Sequence, residues 1–230
     1  MNIKIQTAGG IAATVCSLAY ITGFVVLLTL LSPYYSDTLS PTQKLLFLLE
    51  HKSIFQAWNF VIYIVFGISL VILVLTVTQL LKSSSPTMLK IATAFGLIWA
   101  GLVIASGMIA NTGLQSVATL HETAPSQAPI IWASISAIQE GVGGGIEVVG
   151  GLWSLLISWA ALRTNRLPRA LNYIGLIVGV AGILTVSPTL KELGAIFGLG
   201  QILWFVWIGL YLICFDNRKQ HIDSLRIQHW

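Results

Sequence analysis

Apolar residues gather into six long runs along the chain, and short polar segments separate them. The runs cover residues 8–31, 54–81, 88–114, 130–162, 168–186 and 193–215. A helix needs roughly 20 mostly apolar residues to cross the hydrocarbon core of a bilayer, and each run is about that long or longer. The pattern therefore predicts an all-α transmembrane bundle of six spans that forms a single domain over residues 1–230. A polar, basic tail, residues 216–230, follows the last predicted span.

A short amphiphilic segment lies between the first two runs. Ser40-Pro41-Thr42-Gln43 combines a capping residue, a proline at the first helical position and a glutamine three residues after the cap, which is a capping-box pattern. The sequence that follows, KLLFLLEHK, is apolar but too short to span a bilayer. It predicts a short interfacial helix in the headgroup region, and the same pattern suits a lid over a neighbouring site.

Composition supports a membrane protein and excludes several other classes. The chain is 56% hydrophobic and 9% charged, whereas soluble domains carry about 25% charged residues. The net charge of +4 does not indicate nucleic-acid binding, because the basic residues are scattered among short loops. Cys16 and Cys214 both fall in apolar runs, so the sequence predicts neither a disulfide framework nor a cysteine metal motif.

The twelve Lys and Arg residues are divided unevenly between the two ends of the predicted spans. With six spans the termini lie on one side, and the basic residues expected there are Lys4, Lys82, Lys90, Arg163, Arg166, Arg169, Arg218, Lys219 and Arg226. The opposite side receives Lys44, Lys52 and Lys191. Because cytoplasmic loops carry an excess of Lys and Arg, the sequence predicts that both termini are cytoplasmic.

The fourth run contains the one stretch that points to a site. Gln139 to Gly151 reads QEGVGGGIEVVGG and places two carboxylates, Glu140 and Glu147, inside an apolar span. A helix over residues 130–162 would be roughly 50 Å long, so it must tilt, protrude or break at its glycines. On a continuous helix both carboxylates share one small, polar face. The glycines expected to break or pack this helix are Gly143, Gly144, Gly145 and Gly151.

Two interpretations of this stretch stay open. Glycines at small-xxx-small spacing let helices pack closely, and the same spacing occurs in three other runs. Ionisable residues inside a span are candidate functional residues, although a protonated glutamate with a hydrogen-bonded neighbour can be purely structural. No Lys or Arg lies deep enough to pair with Glu147. We therefore expect that side chain to be protonated and neutral, or to hold a cation or a cationic ligand.

Other polar side chains are predicted to gather toward the same, non-cytoplasmic leaflet. They would line a cavity around the two acids, and they are Asn59, Asn111, Gln115 and Gln201. No metal site or cofactor is predicted. The four histidines fall in predicted loops or the tail, and the two glutamates would lie about 10 Å apart along one helix. No serine or cysteine has a recognisable histidine partner, so the sequence favours a protein that is not an enzyme.

The second half of the chain resembles a known family. Gly150–Leu184 contains a Gly-Gly-Leu-Trp run and a turn ending in Leu-Pro-Arg, and Phe197–Ile213 contains Leu-Trp-Phe-x-Trp-x-Gly. These segments resemble a bacterial integral-membrane family catalogued as domain of unknown function 4386. The resemblance implies about six spans in a bacterial inner (plasma) membrane. It implies no activity, so it transfers no functional residues.

Three functions from different classes fit these observations. The leading hypothesis is a protein that binds or transports a proton, a small cation or an amine-bearing solute in an acidic cavity. The second is a structural or accessory subunit whose small-residue face packs against another membrane protein or a second copy of the chain. That subunit would have no enclosed cavity and a groove open to lipid. The third is an intramembrane enzyme acting on a lipid, which would need His51 or His121 to converge on Glu140.

Overall fold

The computed structural model describes residues 3–36, 38–82, 86–145 and 147–227, and within this part of the chain every regular element is helical. The α-helices are α1 Ile3–Leu28, α2 Pro41–Glu50, α3 Lys52–Asn59, α4 Phe66–Leu80, α5 Pro86–Thr123, α6 Ala128–Gln139, α7 Val148–Thr164, α8 Arg169–Leu184 and α9 Leu193–Ile227. A π-helical segment, Phe60–Val65, joins α3 to α4, and a second, Glu140–Gly144, follows α6. A 3₁₀ turn, Pro188–Leu190, precedes α9.

Five helical stretches in the described residues are long and apolar enough to cross a membrane. They are Lys4–Leu28, Lys52–Leu80, Pro86–Thr123, Ala128–Thr164 and Leu193–Cys214. The prediction of an all-α, membrane-embedded bundle is confirmed. The sixth predicted span, residues 168–186, corresponds to α8, which is apolar but only 16 residues or about 24 Å long. The count of six spans therefore stays a prediction, as does the single domain.

The helices pack around an aromatic core. Helix α1 packs against α4 and α9, α7 packs against α5 and α8, and α8 also packs against α9. Trp153 lies at the centre, with its ring centroid 5.7 Å from Trp99 and 5.4 Å from Trp204, and all three indoles are almost fully buried. Helices α7 and α8 approach so closely that a Cβ added at Gly151 would lie 2.6 Å from the backbone nitrogen of Ile183.

Helix α2 forms as the capping box predicts. The Ser40 hydroxyl accepts a hydrogen bond from the Gln43 backbone nitrogen, and the Gln43 side chain accepts one from the Ser40 backbone nitrogen at 2.9 Å. Leu45 and Leu48 are fully buried in a small hydrophobic cluster with residues from the ends of α1, α5 and α6. The apolar face of α2 thus packs on protein, and the lid stays a prediction.

Two helices are longer than their apolar runs indicated. The third run was expected to end near residue 114 and to be followed by a loop from His121, but α5 continues to Thr123. Val117 and Leu114 are fully buried in the cluster beneath α2, so packing extends the helix past the apolar run. The sequence predicted a polar, basic tail after residue 215, and α9 continues into that tail as far as Ile227. Residues 228–230 of that tail lie outside the described residues.

Candidate functional site

The predicted fourth span is broken at its glycines. Gly143 has φ 145° and ψ 15°, a conformation that only glycine adopts readily. The helix restarts after Glu147, which occupies the N-cap position of α7 without a side-chain capping hydrogen bond. Two hydroxyls tie the break to its neighbours. The Glu147 backbone nitrogen donates to Thr185 Oγ1 at 2.9 Å, and Ser106 Oγ donates to the Gln139 carbonyl at 3.3 Å.

The break separates the two acids that a continuous helix would have aligned. The helical-wheel expectation that Glu140 and Glu147 share one face does not hold, because the backbone turns between them at Gly143. Glu140 lies in the π-helical segment before the break, and Glu147 lies at the N-terminus of α7 after it. The two carboxylates consequently line two different cavities.

Glu147 lines the larger cavity, which has a volume of about 290 Å³. Its wall includes residues of α1, α5 and α9, of the π-helical segment Phe60–Val65 and of the break. Glycines form part of the wall at Gly23, Gly143, Gly194 and Gly198. Most of the remaining lining side chains are aromatic: Tyr20, Phe24, Tyr35, Trp58, Tyr63 and Phe66. Glu147 is the one ionisable acid among these lining residues.

No described residue forms an ion pair with Glu147 or donates a hydrogen bond to its carboxylate. The one ion pair within the described part of the chain joins Lys191, just before α9, to Glu140. The N-terminus of α7 carries a partial positive charge beside the Glu147 side chain, an interaction of about 0.3–1 kcal/mol at exposed sites. A helix terminus is not a full cation, so the cavity keeps one uncompensated acidic group.

Glu140 lines a smaller cavity of about 200 Å³. This cavity is more polar, and Asn59, Ser136 and Gln139 contribute amide and hydroxyl groups to it. The Glu140–Lys191 ion pair is exposed, with 41% and 56% of the two side chains accessible. Three aromatic residues line both cavities and separate them: Tyr35, Trp58 and Tyr63. The Tyr63 hydroxyl accepts a hydrogen bond from Gln139 Nε2 at 2.9 Å.

The predicted amides do not converge on one site. Asn59 lines the smaller cavity and donates to Asn111 Oδ1 at 3.2 Å, and Asn111 donates in turn to the Gln56 carbonyl. Gln115 is exposed on α5. Gln201 is fully buried and donates to Ser154 Oγ, outside the lining of both cavities. Helical spacing placed these residues at a similar depth, but depth alone does not fix which way a side chain points.

Several residues of the site carried no signal in the sequence. Tyr20, Trp58 and Tyr63 stand in apolar runs where an aromatic residue usually means packing. Thr185 and Ser106 are single hydroxyls whose role depends on the break being formed. Lys191 could have been proposed as the partner of Glu140, because both were predicted toward the same leaflet.

Within the described residues, no group of three or more His, Cys, Asp or Glu side chains lies close enough together to hold a metal ion. His121 lies in the last turn of α5 and not in a loop. His51 stacks on Phe47, and its Nδ1 lies 3.0 Å from the Phe47 carbonyl.

Comparison with known proteins adds the family and nothing beyond it. No curated protein matches the chain, and no solved structure matches it. The family described as "Domain of unknown function (DUF4386)" matches residues 11–215, which includes both segments that carry the resemblance and the whole of the cavity wall. By that match over most of its length, the chain belongs to the DUF4386 family.

Proposed function

We propose that this protein binds a small cationic solute in the Glu147 cavity and works as a membrane binding or transport protein. One observation carries the proposal: a carboxylate that no described residue neutralises lines a cavity of about 290 Å³. An ionisable group within a membrane span costs at least about 2.5 kcal/mol unless a partner compensates it. A bound cation supplies that partner, and the cavity supplies the space for it.

The contrast with Glu140 supports this assignment. Glu140 lies only seven residues away and is neutralised by Lys191 from the segment before α9. The fold therefore provides a lysine for the exposed acid and an open volume for the partly buried one. If Glu147 served only to pack helices, a neighbouring donor would be expected to occupy its carboxylate, because polar groups within a bundle are costly when unpaired.

The broken helix supports transport in particular. Discontinuous helices at membrane depth commonly form the substrate sites of transporters, with helix ends directed at the bound charge. Here the break at Gly143 lines the cavity itself. Binding is the primary proposal and transport the extension, since the sequence shows no internal repeat of the kind that many transporters contain.

Six spans with cytoplasmic termini are part of the proposal. Short connections join α7 to α8 and α8 to α9, and α8 packs beside both helices. Helices joined by short loops run antiparallel, so α8 has to return the chain across the bundle if α7 and α9 both span it. With cytoplasmic termini, Lys191 then lies on the non-cytoplasmic side. In intact cells, a membrane-impermeant thiol reagent should label Lys191→Cys and should reach Arg166→Cys only after permeabilisation.

The accessory-subunit alternative gains less support. It predicted a small-residue groove open to lipid, but both glycines of α7 pack within the same chain: Gly150 against Trp99 and Phe197, and Gly151 against α8. A Cβ added at Gly151 would lie 2.7 Å from the Gly179 carbonyl oxygen, and one added at Gly179 would lie 2.9 Å from the Gly151 carbonyl oxygen. Close packing between α7 and α8 already accounts for these small residues.

The test compares the two acids in otherwise identical proteins. Native mass spectrometry of wild type, Glu147→Gln and Glu140→Gln should reveal a co-purifying small molecule that only Glu147→Gln loses. Each protein is then titrated calorimetrically with sodium, potassium, methylammonium and choline. Glu147→Gln should bind at least one of these cations at least about tenfold more weakly than wild type does. Equal binding by all three proteins, or no binding of any cation by folded wild type, would overturn the proposal.

A further inference from the structure

The wall of the Glu147 cavity is suited to one class of cation. Six aromatic side chains line it, and two of them, Tyr20 and Phe66, meet edge to face with ring centroids 5.2 Å apart. Aromatic faces attract cations whose centre lies within about 6 Å of the ring. A cation in van der Waals contact with the face of one of these rings lies well within that range.

The same wall offers few ligands for an inorganic cation. A small, strongly hydrated ion enters a protein site when several oxygen atoms replace its hydration shell. The lining offers one carboxylate and the tyrosine hydroxyls. The hydroxyl of Tyr63 already accepts a hydrogen bond from Gln139, and the Gly23 carbonyl already accepts one from Trp58 Nε1. Most of the remaining surface is hydrocarbon and ring carbon, which cannot replace water around sodium or potassium.

The volume of the cavity points the same way. It corresponds to about ten water molecules at roughly 30 Å³ each. A bare metal ion would leave most of that space to water, in contact with aromatic rings. An organic ion of about ten non-hydrogen atoms would fill it and bury the rings from water.

We infer that the Glu147 cavity binds an alkylated ammonium ion, with the Glu147 carboxylate as counter-ion and the surrounding rings as an aromatic cage. This inference rests on the proposed function and narrows its ligand class. Alkyl groups spread the positive charge and weaken its hydration, so the ion gives up little water on entry. The rings then interact with the whole surface of the ammonium group, as in other sites that recognise quaternary ammonium ligands.

Charge and shape can be separated with a matched pair of probes. Choline and its uncharged carbon isostere, 3,3-dimethylbutan-1-ol (dimethylbutanol below), have nearly the same shape and differ in charge. Titration calorimetry on the purified full chain should show choline binding at least about tenfold more tightly than dimethylbutanol. An excess of sodium or potassium should not displace choline. Glu147→Gln should abolish the preference for choline over dimethylbutanol.

A second variant keeps the carboxylate and removes the space. Gly194 lines the cavity, and the nearest atom to a Cβ added there is 3.9 Å away, so Gly194→Leu should fold and fill the cavity. Gly101→Leu is the matched control, because a Cβ at that exposed position on α5 meets nothing within 4 Å. Choline binding should be lost in Gly194→Leu and unchanged in Gly101→Leu.

The outcomes distinguish this inference from the function it rests on. If sodium or potassium binds in a Glu147-dependent way and choline does not, the cation site stands and the aromatic cage is wrong. If dimethylbutanol binds as tightly as choline, the cavity recognises shape and both the cage and the cation site fail. If choline binding survives in Gly194→Leu, the ion binds elsewhere and the inference is overturned.

Discussion

Gly143→Ala should destabilise the protein, whereas Gly141→Ala, two residues earlier, should not. At φ 145° and ψ 15° an L-residue is strained by about 1–3 kcal/mol, because its Cβ conflicts with the local backbone. The surroundings add little, since a Cβ at Gly143 would lie 3.5 Å from Leu102 Cβ, an ordinary contact. A Cβ at Gly141 would meet nothing within 4 Å. The cost at Gly143 is therefore a backbone cost.

The pair of variants isolates that cost. Replacing glycine by alanine also restricts the unfolded chain, which stabilises a protein by about 0.4–1 kcal/mol at any compatible position. This contribution is common to both variants and cancels when they are compared. The free energy of unfolding of Gly143→Ala should therefore fall below that of Gly141→Ala by about 1–3 kcal/mol.

Equilibrium unfolding in mixed micelles of rising dodecyl sulfate content gives the measurement, followed by far-UV circular dichroism and tryptophan fluorescence. Coincident transitions by the two probes are the control for two-state behaviour. Equal stability of the two variants would mean that Gly143 is not strained. The fourth span would then be a continuous helix with Glu140 and Glu147 on one face, and the separate Glu147 cavity would be wrong.

Three further predictions use the same unfolding assay. Gly151→Ala should lower the free energy of unfolding by about 1–3 kcal/mol, because its Cβ would lie within 3 Å of the α8 backbone and the two helices would have to separate. Gly101→Ala is the control, because its Cβ would meet nothing within 4 Å, and it should not lower the free energy of unfolding. Ser154→Ala should be more destabilising than Gln201→Leu, since the first leaves a buried amide without its partner and the second removes that amide altogether. Lys191→Met should change stability by less than about 1 kcal/mol, as expected for an exposed ion pair, and a larger loss would mean that the ion pair secures the break.

The architecture could be predicted from the sequence because the bilayer imposes it. Runs of about 20 apolar residues can satisfy their backbone only as helices in lipid, so five spans and the all-α class follow from length and hydropathy. The capping box of α2 was equally legible, because Ser40 and Gln43 interact locally. Helix ends that depend on tertiary packing could not be predicted in this way. Helix α5 extends beyond its apolar run because Val117 is buried beneath α2.

The site could be predicted only in part, for a similar reason. Two acids and a glycine cluster in an apolar span were visible, and they lie where the helix breaks. Their separation into two cavities depends on one backbone angle at Gly143, which residue types do not specify. The aromatic wall was invisible because Tyr20 and Tyr63 come from helices far apart in the chain, and apolar runs give no sign of which rings face a cavity.

The break and the cavity depend on each other. A helix interrupted at membrane depth frees backbone groups, and each unsatisfied group costs several kcal/mol in hydrocarbon, so irregular backbone survives only where protein or a water-accessible cavity surrounds it. Thr185 and Ser106 supply two of the required hydrogen bonds, and Gly143 itself lines the cavity. A fold that only needed to pack its helices would avoid this cost with a continuous span. Retaining the break places the N-terminus of α7 and the Glu147 carboxylate at the cavity wall, an arrangement that the proposed ligand site uses and a packing interface does not need.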